Sequence, residues 1–144
     1  MRPVGDDPLD ELPTRQGFTA LLMAFRATGG TARGNDVARL LSDHGVGDYI
    51  GVARLIANGD VFGFEWRHEL WIPMFQFELT TLSVKPETRQ VLAELGSAYN
   101  GWSCAAWFAR SNSYLNLQTP VDLLETRLAD VLKAARADRF LAVG

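Results

Sequence analysis

The stretch "GDVFGFEWRHELWIPMFQF", residues 59–77, holds two of the chain's four tryptophans and four of its eight phenylalanines. They flank a polar knot, Trp66-Arg67-His68-Glu69. Phe62, Phe64 and Trp66 alternate with Val61, Gly63 and Glu65, and Leu70, Ile72 and Met74 alternate with Trp71 and Pro73. A period of two on both sides of a short polar turn predicts two strands joined as a hairpin. Pairing Glu65 with Leu70 sets Phe64 opposite Trp71 and Gly63 opposite Ile72. Both faces of that ribbon are apolar, so it is expected to pack on one side and to be partly covered on the other. Pro73 has no N–H for a ladder, which makes the second strand an edge or ends it there.

Helical spacing surrounds the ribbon. Thr14 can cap a helix through "RQGFTALLMAFRAT", with Phe18, Leu21, Leu22 and Phe25 on one face and Gly29-Gly30 as its stop. Asn35 is a candidate cap for "DVARLLSDHG", and "VGD" forms a tight link to a third helix, Asp48 to Asn58. That helix carries Tyr49, Val52, Leu55 and Ile56 at the spacing of an inward face, and Asn58-Gly59 ends it. After Phe77 come "PETRQVLAELG", a small-residue helix "GWSCAAWFAR" capped by Asn100, and a loop "SNSYLNLQ". Thr119-Pro120 then opens a helix whose stripe is Leu124, Leu128, Val131 and Ala135, running to about Asp138. The tail "RFLAVG" shows no element. The fold class is therefore mainly α: a helix-turn-helix with a wing-like β-hairpin, then a small C-terminal helical domain. The divisions are a loose acidic arm at 1–13, the helix-turn-helix with hairpin at 14–78, and the helical domain at 79–144.

Composition excludes several classes. The chain has 144 residues, 47% apolar and 22% charged, which allows one ordinary core or two small ones. No apolar run could cross a bilayer, and the acidic, proline-rich start does not read as a signal peptide. One cysteine, Cys104, permits no internal disulfide and suits a cytoplasmic location. His44 and His68 fall in different turns, and no spacing resembles a zinc site. The chain has no phosphate-cradling glycine loop and no nucleophile elbow. Cys104 reads as a small buried hydrophobe rather than a nucleophile. No catalytic residue, metal or cofactor is assigned.

Two motifs in order add a resemblance. Gly59, Phe62-Gly63, Trp71-Ile72-Pro73 and Phe75-Gln76-Phe77 resemble the ribbon of bacterial antitoxins of the Xre/MbcA/ParS-like toxin-binding type. Trp107, Asn112, Leu117, Thr119, Pro120, Asp122, Leu123 and Leu124 are similar to that family's toxin-binding domain. The likeness covers about residues 33–138. Gln118 stands where the family has glycine before Thr-Pro. "RLADVL" replaces a later glycine, which would let two short helices fuse into one. The resemblance implies a non-catalytic, homodimeric antitoxin that neutralises a toxin enzyme, often of the NAD-consuming RES-domain type, and autoregulates its operon.

The residues themselves qualify that picture. Residues 31–78 hold four arginines against seven acids, a poor endowment for neutralising phosphates. Tyr49, Arg54 and Asn58 on the third helix, with Arg67 and His68 at the hairpin tip, are the candidate DNA contacts. Ordinary solvated charge is the competing account of the two arginines. Arg136, Arg139, Phe140 and Leu141 are the candidate partner contacts, since arginine beside an apolar tail suits an interface anchor. Phe140 folded back on its own domain is the bland alternative. The rival function is a stand-alone helix-turn-helix transcriptional regulator without a toxin; an orphan module that has lost both activities is a third.

Overall fold

The computed structural model describes residues 13–143. The arm expected at 1–13 lies, except for Pro13, outside those residues. The fold is mainly helical with one small three-stranded antiparallel sheet. Helix α1 (Arg15–Ala24) starts where the Thr14 hydroxyl accepts the Gly17 N–H at 2.9 Å. A single tight turn, Arg26–Thr28, and Gly29 at φ 106° end that segment. Strand β1 (Thr31–Arg33) runs straight into α2 (Gly34–Asp43). Arg33, paired in the sheet, is therefore the residue before the helix and makes no side-chain cap; Asn35, the expected cap, is already helical. Helix α3 (Tyr49–Ala57) is capped by Asp48, whose carboxylate accepts from Gly51 N–H at 2.9 Å.

Strands β2 (Phe64–Trp66) and β3 (Glu69–Pro73) pair in the expected register, Phe64 with Trp71 and Glu65 with Leu70. Arg67 and His68 turn the chain with φ of 52° and 65°, the positive pair that a mirror-image hairpin turn requires. No glycine relieves them. Strand β1 pairs with the far side of β3, so β3 is central rather than an edge. Pro73 does end it, opposite Thr31, and the next N–H, that of Met74, reaches the Gly30 carbonyl at 2.9 Å.

The sheet separates two cores. Leu70 and Ile72 point with Val37, Leu41 and Val52 into one, together with Met74, Phe77 and Leu82. Phe64, Trp66 and Trp71 point the other way, where Phe62 and Phe75 meet α1 and the C-terminal helices α4 (Pro86–Leu95) and α5 (Gly101–Ala109). Rings do much of the packing there. Phe108 stacks on Phe62 at 5.5 Å and tilts against Phe75 at 4.9 Å, while Trp102 meets Phe64 edge-on at 5.7 Å. Each such pair adds about 0.5–1.5 kcal/mol beyond the area it buries.

The C-terminal segment departs from expectation. Thr119 opens only a four-residue helix, α6 (Pro120–Leu123), and a separate helix, α7 (Leu128–Val143), carries the chain on through the "RFLAV" tail. One straight helix would set Val121 and Ala134 about 140° apart. Both are buried in the same core, and the chain breaks between them.

Helix α5 docks by its first residue. A β-carbon at Gly101 would strike the Gly63 carbonyl oxygen, and one at Gly63 would lie 2.8 Å from Leu70 Cδ1. The two backbones meet directly, with no side chain able to yield. Gly101→Ala should therefore destabilise by about 3 kcal/mol, as overpacking does. Helix propensity alone would give a gain of up to about 1 kcal/mol. A thermal melt decides the sign: an unchanged or raised Tm overturns the close approach.

Candidate interaction surfaces

Among the described residues no group of three or more His, Cys, Asp or Glu side chains could hold a metal ion. His44 turns back to the Leu40 carbonyl, Nδ1 to oxygen 2.9 Å, while His68 sits in the hairpin turn. Cys104 is buried on α5, and burial pushes its thiol up to about 12. At neutral pH it is a packed thiol with almost no nucleophilic thiolate. No helix of the described residues is long and apolar enough to cross a membrane.

The first surface surrounds α3. An open cleft of about 490 Å³ lies between the start of α2, α3 and the hairpin turn, lined by Asn35, Tyr49, Ala53, Arg67 and His68 among others. Three of the five candidate DNA contacts, Tyr49, Arg67 and His68, thus share one cleft. Arg54 and Asn58 do not line it. Arg67 lays its guanidinium over the Trp66 ring at 5.2 Å. Arg33 does the same over Trp71 at 5.2 Å while its Nε meets Glu69 at 3.2 Å. Tyr49, assigned to the inward face from its spacing, is 59% exposed, and its neighbour Ile50 is 65% exposed. Ala53, Arg54 and Ala57 continue the same outward face, whereas Val52, Leu55 and Ile56 pack inward.

The second surface is the end of α7. Phe140 and Leu141 are 72% and 64% exposed. They line a shallow depression of about 390 Å³ with Tyr114, Lys133, Arg136 and Ala137. Leu117, in the same loop as Tyr114, is also exposed. Arg136 holds Glu94 across to α4 at 2.9 and 3.3 Å. That hydrogen bond, with the arginine charge behind it, holds the Glu94 carboxyl below its usual range. Being exposed, the pair contributes little to stability, and what it contributes fades as pH falls through the carboxyl's folded value. Arg139 lies along Gly96, where a β-carbon would come 3.4 Å from its Cδ.

What fixes this end of α7 is Asp138. Its Oδ2 accepts from Trp107 Nε1 at 2.8 Å and from Asn112 Nδ2 at 3.1 Å. Asn112 Oδ1 also accepts the Tyr114 N–H at 2.9 Å, and its backbone N–H bonds to the Gln118 carbonyl at 3.0 Å. One aspartate therefore ties α5, the loop and α7 together. The groove beside it, about 410 Å³, is lined by Tyr99, Trp102, Arg110 and Ser111 as well. The Tyr99 hydroxyl there is raised, first by burial and then by the Asp138 charge. Asp138, Tyr114, Lys133 and Ile50 escape a reading of the sequence, because nothing local marks them.

No family model, curated protein or solved structure matches the chain.

Two outcomes check this geometry. Asp138→Ala leaves the Trp107 and Asn112 donors without their acceptor and should lower stability to urea by about 1–3 kcal/mol. Asp138→Asn keeps an acceptor oxygen and should lose less; equal losses would deny the shared bond. At pH 8, Cys104 in the folded chain should alkylate roughly 10³-fold more slowly than a free thiol, recovering in denaturant. Fast labelling of the folded chain contradicts the burial.

Proposed function

We propose that the chain is a non-catalytic, cytoplasmic antitoxin of the Xre/MbcA/ParS-like toxin-binding type, which captures a toxin enzyme with the end of α7. The observation that carries this is the exposed Phe140–Leu141 pair at the end of α7, beside Tyr114, Lys133 and Arg136. Aromatic and arginine side chains around an apolar centre are what protein interfaces select. Burying either apolar side chain against a partner is worth about 1.5–3 kcal/mol. A toxin of the RES-domain type fits the resemblance. Lys133 and Arg136 at the rim favour an acidic surface around the toxin's cleft, although Arg136 is already paired with Glu94.

The sequence α2, tight turn, α3, then the β2–β3 ribbon supports a helix-turn-helix with a wing in the N-terminal half. Such a fold element does not by itself bind DNA. The cleft that gathers Tyr49, Arg67 and His68 favours an operator-binding arm, and hence the stand-alone regulator as the second reading. The excess of acids over arginines in residues 31–78 weighs against it.

Co-expression with a toxin-like neighbouring gene tests the first reading. The chain should restore growth and co-purify with the toxin. Phe140→Asp with Leu141→Asp should weaken capture by about 30-fold or more at an unchanged melting temperature. A toxin that stays active and unbound sinks the proposal, as does full capture by the doubly substituted chain.

A further inference from the structure

Asparagine followed by glycine occurs twice in the chain, at Asn58-Gly59 and at Asn100-Gly101. In such a pair the glycine amide nitrogen can attack the asparagine Cγ, because no β-carbon on the second residue hinders the approach. The new N–Cγ bond closes a five-membered succinimide, and the Cγ–Nδ2 bond breaks. Ammonia leaves with the proton that the glycine nitrogen gives up. Water then opens the ring at either carbonyl. Opening at one yields aspartate; opening at the other yields isoaspartate, whose main chain runs through the side chain and is longer by a carbon. The two sites share this chemistry and differ in how the fold holds them.

Asn100 is locked by its cap. Its Oδ1 accepts the Ser103 N–H at 2.9 Å and the Ser103 hydroxyl at 3.0 Å, and its own N–H donates to Ser103 Oγ at 2.8 Å. Gly101 is pressed against the Gly63 carbonyl. Turning Asn100 toward ring closure therefore undocks α5 from the ribbon. Asn58 has no such restraint. It is exposed, it follows the last residue of α3, and its carboxamide makes no hydrogen bond among the described residues. Gly59 is exposed too, and a β-carbon there would meet nothing within 4 Å. Only the helix end holds the site: Gly59 N–H reaches the Ile56 carbonyl at 3.1 Å, and Asp60 N–H the Leu55 carbonyl at 2.9 Å. Helix ends open locally at a lower free energy than a buried junction does.

We propose that Asn58-Gly59 is a site of spontaneous deamidation, whose products loosen the junction between α3 and the ribbon. A carboxylate at the C-terminal end of α3 meets the negative end of the helix dipole. It stands two residues from Asp60, in a segment, residues 31–78, where seven acids already face four arginines, so it also weakens any phosphate contact there. Isoaspartate does more. Its extra carbon falls inside the two turn bonds that end α3 and just ahead of Val61 and Phe62, which are buried in one core each. The entry to the ribbon then shifts against the helix. The proposal stands independently of toxin capture, because α3 and α7 belong to different cores.

Ageing the full chain in neutral buffer, followed by peptide mapping with mass spectrometry, tests it. The Asn58 amide should convert to acid about tenfold or more faster than the Asn100 amide, with isoaspartate the major product. In denaturant the two sites should convert at similar rates, since only the fold separates them. Raising the pH should speed conversion at Asn58, because the attacking nitrogen must lose its proton. The melting temperature of the chain should fall on ageing, while a chain carrying Asn58→Ser should keep its own. Asn58→Asp, which adds the charge without the extra carbon, should lower it less than ageing does. An Asn58 amide that survives in the folded chain yet converts in denaturant overturns the proposal. Equal conversion at Asn58 and Asn100 in the folded chain overturns it too, as does full conversion at Asn58 with an unchanged melting curve.

Discussion

The amide of Gln76 is the constraint on which both halves of the molecule lean. It is fully buried, yet its amide oxygen and both amide N–H groups are engaged. Oε1 accepts the Phe62 N–H at 2.8 Å, and Nε2 donates to the Phe62 carbonyl at 2.9 Å and the Pro73 carbonyl at 3.0 Å. Its backbone carbonyl accepts the Lys85 N–H at 2.9 Å. The β2–β3 ladder stops at Phe64 and Trp71, so the backbone at Phe62 would otherwise be buried without partners. Each such orphan costs about 1–3 kcal/mol. A carboxylic acid or an aliphatic residue of the same length could not both donate twice and accept. The amide extends the ribbon past the point where strands can no longer do so.

That closure decides where the rings go. With the chain pinned at Phe62 and at Gln76, Phe62 and Phe75 enter the C-terminal core, while Phe77 enters the core of α2 and α3. The same closure brings the Gly63 carbonyl to Gly101, which sets the start of α5. Helix α5 carries Trp107, and Trp107 with Asn112 holds Asp138. The exposed end of α7 is thus positioned through a chain of contacts that begins at a buried glutamine. The outward face of α3 depends on the other core, through Val52, Leu55 and Ile56. A single ribbon carries both surfaces, one on each side.

How far the sequence could be read followed how local each determinant is. The hairpin register was legible because a one-residue slip would reverse every side chain of an alternating ribbon. Thr14, Asn100 and Thr119 cap as their positions suggest, since a cap needs only residues three apart. Strand β1 was not legible: three residues cannot display a period, and its partner lies forty residues away. The break between α6 and α7 was hidden for a related reason. Helical spacing records which residues are apolar, but not that Val121 and Ala134 must face one core. Tyr49 fits the inward spacing of α3 equally well on paper, and only the face that α3 lays on the α2 core turns it out. Asp138 meets a tryptophan 31 residues away, a distance at which no motif operates.

The residues on which the proposed antitoxin reading leans in the sequence are chiefly residues the chain's own fold requires. Gly59 takes φ 75°, Phe62, Ile72, Phe75 and Phe77 are buried, Gln76 closes the ribbon, and Trp107 and Asn112 grip Asp138. Thr119 and Pro120 start a helix. None of these presents a group that a partner would read directly. A shared pattern of this kind speaks to how the backbone is laid out, and discrimination among partners has to come from what the layout exposes. On the proposed reading those groups are Tyr114, Phe140 and Leu141, exposed at the end of α7 and the loop beside it. Such positions are free of packing constraint, so they can change from one partner to the next while the ribbon and its glutamine stay the same. If the proposed capture holds, partner choice in this fold falls to side chains that stability leaves alone.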